Sequence, residues 1–162
     1  RLYIFEKIFL KIMFLKIKIP PPIIVIFLTS AVYFSSNLTI GFDLPFKKTI
    51  SLLLLFIGLL IIFIPVFQFI KSKTTINPQS FKNVNNLVSS GIFKISRNPM
   101  YLGMLIIISS TVVYYFNYFS IFAPFIFYFW INEFQIKREE KKLEEKFGSD
   151  YMKYKSQTRR WI

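Results

Sequence analysis

Apolar residues in this chain fall in long blocks separated by polar runs, and several blocks have the length of membrane crossings. Residues 1–19 alternate Ile, Leu and Phe with lysine; on a helix Lys7, Lys11 and Lys18 share one face and Lys16 lies opposite. That pattern predicts an amphipathic helix lying in the membrane interface. Pro20-Pro21-Pro22 ends it, because proline lacks an N–H and restricts the residue before it. A first span follows over about 22–36, short and carrying Thr29, Ser30, Ser35 and Ser36, then a loop at 37–48 with Gly41, Asp43 and Pro45. The second span, about 50–70, holds no charge, and Pro65 predicts a kink in it. Residues 71–96 read as a polar connector with Asn77-Pro78 as a turn. The third span is about 99–116, with Pro99 suited to its first turn, and Asn117 predicts a tight turn into a fourth at about 118–136. The tail, 137–162, is charged and helical in pattern, with Leu143 and Phe147 four apart and Gly148 as a stop. The expected fold is an all-α integral membrane protein. It has about four transmembrane helices, an N-terminal interfacial helix and a C-terminal cytoplasmic helical segment.

Charge sets the orientation. Lys and Arg number 21 against 8 Asp and Glu. The N-terminal segment carries five of these cations, the 71–98 connector five and the tail nine, while the 37–48 loop carries two and the 117 turn none. Four spans with both termini cytoplasmic satisfy the excess of positive charge on the inner side. Basic residues that flank apolar blocks answer to topology and anionic headgroups, so no nucleic-acid partner is expected. The chain has no cysteine and no histidine, which removes disulfides, thiolate chemistry, the usual general base and the commonest metal ligand; no metal site is expected. No cleavable signal is read in the first 19 residues, which carry Lys7, Lys11, Lys16 and Lys18. The Lys, Ile, Phe and Asn bias suggests an AT-rich, bacterial genome, hence an inner-membrane location.

The third and fourth spans form a hairpin. Each leg of about 18 residues gives roughly 27 Å of helix, close to the hydrocarbon thickness. Ser96-Arg97-Asn98-Pro99-Met100-Tyr101-Leu102-Gly103 opens the hairpin and Arg138-Glu139-Glu140 closes it, so both return to one bilayer face. An arginine, an amide, a phenol and two carboxylates beside lipid are costly, which points to a ligand. Arg97 at a helix N-terminus suits an anionic group such as an amino-acid carboxylate. Glu139 and Glu140 can accept from hydroxyls or an ammonium, or hold Arg97. Gly103 leaves room for a helix or a ligand to approach closely. Glu133, ionisable near the end of the fourth span, is open between a ligand role and a pair with Arg97 or Lys137. Tyr114, Tyr115, Tyr118 and Trp161 read as interface anchors.

The order of these residues carries a resemblance. Leu87-Val88-Ser89-Ser90-Gly91-Ile92-Phe93 precedes the 96–103 motif; after the hairpin come Glu139-Glu140-Lys141-Lys142-Leu143, Phe147-Gly148, Tyr151, Tyr154 and Arg160-Trp161. This resembles the integral-membrane isoprenylcysteine carboxyl methyltransferases and phospholipid methyltransferases, in particular their small bacterial relatives. It covers about 74–162 and divides the chain into a membrane-anchoring half, 1–73, and a methyltransferase-like half, 74–162. The resemblance implies S-adenosylmethionine as cofactor, bound at the cytoplasmic face. Arg97, Pro99, Tyr101 and Gly103 match the family's Arg-His-Pro-x-Tyr-x-Gly element, and Glu139 and Glu140 its paired glutamates. Asn98 stands where many members have histidine; an amide hydrogen-bonds but takes no proton near neutral pH.

Methyl transfer from a sulfonium is an in-line displacement with a good leaving group, so alignment and exclusion of water do most of the work. A carboxylate or thiolate acceptor needs no base. An amine does, and Glu133 or Glu139 is the candidate. The expected catalytic residues are Arg97 and Glu133; the expected cofactor contacts are Arg97, Asn98, Pro99, Tyr101, Gly103, Glu139 and Glu140. The expected partners are the bilayer and a hydrophobic or lipid-like acceptor. Two alternatives remain. One is an NADPH-dependent membrane reductase, since sterol reductases carry a similar C-terminal element. The other is a non-enzymatic accessory subunit with a basic tail.

Overall fold

Proline placement starts the first described helix where its chemistry requires. Pro20 is extended (φ −59°, ψ 133°), and helix α1, Pro21–Leu38, begins with prolines in its first turn, where a missing N–H costs nothing. The structure is a computed structural model, and it describes residues 19–71 and 86–162. The expected interfacial helix, the Asn77-Pro78 turn and the 73/74 division lie outside the described residues.

Helix α2, Lys47–Lys71, runs through Pro65 to the last turn, where Lys71 faces the negative helix end. A 3-10 turn at Gly91–Lys94 leads to α3, Pro99–Tyr114. Helix α4, Phe122–Ile131, passes into a π-helical turn, Asn132–Ile136, and then into α5, Lys137–Gln157. Among the described residues the fold is all-helical; the one extended pairing is an isolated bridge between Gly41 and Asn117. Two helices, α1 and α2, are long and apolar enough to cross a membrane, and α3 is a shorter apolar helix.

Helix α3 lies centrally, packed against α2, α1 and α4. Its contact with α2 is built on small residues. Only Ser51, Gly58 and Pro65 of α2 are buried, seven apart, so one stripe faces inward. A Cβ on Gly103 would lie 2.6 Å from the Gly58 carbonyl oxygen, and one on Gly58 would lie 2.9 Å from that of Gly103. The room at Gly103 is therefore taken by a helix. Outward from the stripe, Phe56, Phe63 and Phe67 are more than half exposed, as are Phe122, Phe125 and Phe129 of α4. Apolar surface of that extent suits lipid rather than water.

The helices alternate in direction. Loop 39–46 meets the α3–α4 turn at one end: Phe42 N–H donates to the Phe116 carbonyl at 2.9 Å, and Asn117 Nδ2 donates to Ser35 Oγ at 3.1 Å. Asn117 forms the expected turn, its Oδ1 accepting from the N–H groups of Phe119 and Ser120. That turn occupies 117–121, so α4 starts at Phe122 rather than near 118. At the other end α5 folds back. Gly148 (φ 49°) breaks it where a stop was expected, but the helix resumes to Gln157. Its Leu143, Phe147, Tyr151 and Tyr154 close a second core with Phe69 and Phe93.

Candidate functional site

The chain brings residues 96–101, 135–140 and 155–161 together at the end opposite the Asn117 turn. Arg97 stands just before α3. Its backbone N–H donates to the Arg159 carbonyl at 3.0 Å. Its guanidinium donates through Nη1 to the carbonyls of Lys155 (3.0 Å) and Thr158, and through Nη2 to Glu140 Oε1 at 2.9 Å. Arg97 and Glu140 side chains are only 10% and 8% exposed, so this is not a headgroup contact. Arg97 Nε is buried without a partner.

Arg160 completes the ion cluster. Its Nε donates to Glu140 Oε1 at 3.0 Å and its Nη2 to Oε2 at 2.6 Å. Burial alone would raise the Glu140 carboxyl; the hydrogen bonds and charges of Arg160 and Arg97 outweigh it and hold the carboxyl below its ordinary value. Asn98, at the α3 N-cap, does not cap; its Nδ2 donates to the Arg160 carbonyl at 3.0 Å. The Ser96 hydroxyl accepts from the Asn98 N–H at 3.1 Å.

Glu139 belongs to a second, uncharged set. Its Oε1 accepts from the Tyr101 hydroxyl at 2.7 Å and from Gln135 Nε2 at 2.5 Å. Loss of hydration pushes its carboxyl up to about 7, against the lowering effect of those two bonds and the Lys142 charge; the Glu140 charge adds a further rise. Neighbouring glutamates thus have opposite fates, one clamped by two guanidinium groups, the other held by a phenol and an amide. Such a split is typical of functional sites.

Of the expected site residues, Arg97, Asn98, Tyr101, Glu139 and Glu140 meet here, and Pro99 is buried beside them as the first residue of α3. Gly103 faces α2. Glu133 shares no hydrogen bond with this group: it pairs with Lys137 at 2.5 Å, both side chains 53% exposed. Trp161, expected as an interface anchor, ties the tail to the end of α4 and its π turn. Its indole N–H donates to Asn132 Oδ1 at 3.3 Å and its ring lies 5.1 Å from that of Tyr128. Sequence reasoning gave no role to Arg160 or Gln135. Arg160 lies 20 positions from Glu140, beyond any helical period, and only its place in the ordered motif marked it. Gln135 had a signal, four residues before Glu139 on one helix face.

A family model described as phospholipid methyltransferase matches residues 46–150. The chain belongs to the phospholipid methyltransferase family. The match begins at α2, well before the 74–162 region that carried the resemblance, and includes Arg97, Tyr101, Glu133, Glu139 and Glu140. Arg160 and Trp161 fall outside it. A Haemophilus influenzae protein described as uncharacterized is 43% identical over 63 residues, covering 39% of this chain and all of that protein. Family membership supports a membrane methyltransferase in general terms.

Proposed function

We propose that this protein transfers a methyl group from S-adenosylmethionine to a hydrophobic, membrane-associated acceptor. The observation that carries the reading is the Tyr101–Glu139 pair set beside the Arg97–Glu140–Arg160 cluster, within a phospholipid methyltransferase sequence. The residues suit the donor. S-adenosylmethionine carries a sulfonium, an ammonium, a carboxylate and ribose hydroxyls. Glu139 offers a partly buried carboxylate bound by neutral groups, able to take a cation or a hydroxyl. Arg97 Nε is a buried donor without a partner, able to take an anionic oxygen.

When bound, the donor supplies an electrophilic methyl group on a good leaving group. The chain's residues do the rest. Tyr101 and Gln135 hold Glu139 in one orientation. Arg97 and Glu140 cross-link the start of α3 to the start of α5 and to the tail. For an amine acceptor Glu139 is a better base than Glu133: its carboxyl, pushed up to about 7, can take a proton near neutral pH, whereas Glu133 is half exposed and paired with Lys137. The family's description makes a phospholipid amine the first acceptor to try. We further take α3, and α4 with its π turn, as the third and fourth membrane crossings, the basic end being cytoplasmic.

The test is S-adenosylmethionine binding and methyl transfer by protein in lipid nanodiscs containing phosphatidylethanolamine. Saturable binding is expected, weakened about tenfold or more by Glu139→Gln, the usual scale for losing a charged hydrogen-bond partner. Binding should strengthen as pH rises through about 7, because a cationic ligand favours ionised Glu139. A folded protein that shows no saturable binding would sink the reading.

A further inference from the structure

The last described turn of the chain does two separable jobs. Main-chain carbonyls dock the tail: those of Lys155 and Thr158 accept from the Arg97 guanidinium, that of Arg159 from the Arg97 N–H, and that of Arg160 from Asn98 Nδ2. None of these bonds uses the Arg160 side chain. That side chain spends its bonds on Glu140 alone, Nε to Oε1 and Nη2 to Oε2. Arg97 reaches only Oε1, so Arg160 is the sole described donor to Oε2. The result is a carboxylate held on both oxygens by two guanidinium groups, and Glu139 stands directly before it in sequence.

We propose that Arg160 is a positioning residue for the methyl-transfer site. It locks Glu140 and neutralises it, and so sets the electrostatics around the neighbouring Glu139, whose orientation Tyr101 and Gln135 hold. This rests on the functional reading given above, but the geometry it uses does not. The groups acting on Glu139 are Tyr101 from α3, Gln135 from the π turn, and Lys142 and Glu140 from α5. Those acting on Glu140 are Arg160 from the tail and Arg97 before α3; the Tyr151 phenol also senses this cluster. Loss of Arg160 leaves Glu140 with one guanidinium for two oxygens. Its less compensated charge and freer side chain then bear on Glu139, favouring the protonated form.

The experiment reads the Glu139 carboxyl directly and binding separately. The protonated carboxyl C=O stretch is followed by infrared difference spectroscopy from pH 5 to 9 in nanodiscs, with Glu139→Gln to assign the band. S-adenosylmethionine affinity and thermal midpoint are measured on the same samples. In Arg160→Gln the midpoint of the Glu139 band should move up by about half a pH unit or more. Arg160→Lys, which restores the charge without the fork, should recover most of that shift, and Trp161→Phe, which loosens the tail but keeps Arg160, should leave the band in place. An unmoved band in folded Arg160→Gln, or an equal shift in Trp161→Phe, would overturn the proposal. If Arg160→Gln does not fold, Arg160→Lys decides: a wild-type midpoint with broadened titration and weaker affinity supports positioning, and wild-type behaviour throughout overturns it. Were the wild type to bind no S-adenosylmethionine while the band still moved in Arg160→Gln, the positioning role would stand and the donor assignment would fall.

Discussion

At the scale of single residues, the two adjacent glutamates make opposite contributions to stability as pH changes. Glu139 ionises near 4.5 when hydrated and near 7 in the fold, so the folded state binds more protons than the unfolded state between those values. Folding stability contributed at this site is therefore full below about 4.5 and lost as pH rises through about 7. Glu140 runs the other way: held low by Arg160 and Arg97, it stabilises above its ordinary value and loses that contribution only on acidification below it. The window between 4.5 and 7 thus belongs to Glu139. The thermal midpoint of the ligand-free protein should fall across this window, and Glu139→Gln should remove the slope. Tyr101→Phe is a finer test. The phenol's hydrogen bond favours the ionised carboxyl, so its removal should carry the falling limb to higher pH. A limb that moves down, or a slope that survives in Glu139→Gln, would assign the titration to another group.

At the scale of elements, the Gly58–Gly103 crossing fixes α3, and with it Tyr101 two residues earlier. Gly103→Ala places a methyl 2.6 Å from a backbone carbonyl that cannot step aside. Overpacking of this kind should lower the thermal midpoint by about 5 °C or more. Retained stability with lost S-adenosylmethionine affinity would instead make Gly103 a ligand contact. Much of this level was legible in the sequence. The α1 start followed from Pro20-Pro21-Pro22, α2 from an uncharged block, and the α3 start from Pro99, because each signal is local. Convergence of Arg97 and Tyr101 with Glu139 and Glu140 followed from two legs of similar length. The use of Gly103 was not readable, since a glycine's vacancy says nothing about what fills it. Nor was the π turn at Asn132–Ile136, which no local pattern marks and which coincides with the Trp161–Asn132 and Gln135–Glu139 bonds. Pairing of Arg160 with Glu140 depends on the tail folding back, a tertiary event with no period.

At the scale of the whole molecule, the prediction is that the α3–α4 hairpin crosses the bilayer. Helix α3 has 16 residues, α4 ten, and the π turn five more. Sixteen residues give about 24 Å of α-helix, short of a hydrocarbon core of about 30 Å, so length alone leaves room for a hairpin that enters and returns. Two observations favour a full crossing. The Asn117 turn meets the 39–46 loop through the Gly41–Asn117 bridge, so it reaches as far as the end of α1, which is long enough to span. The aromatic side chains there, Tyr114, Tyr118 and Phe42, stand exposed where an interface belt would lie. The chain has no native cysteine, so single introduced cysteines report without background. In spheroplasts treated with a membrane-impermeant maleimide, Tyr118→Cys and Lys48→Cys should label at once. Lys153→Cys, on the basic tail, should label only after permeabilisation. Labelling of Lys48→Cys without Tyr118→Cys would make the hairpin re-entrant; then α3 and α4 would place the Tyr101–Glu139 pair at the inner face without giving a lipid acceptor a path through four crossings. Labelling of both on intact spheroplasts places the basic cluster at the inner face, where a soluble cytoplasmic donor and a bilayer-borne acceptor can meet at Glu139.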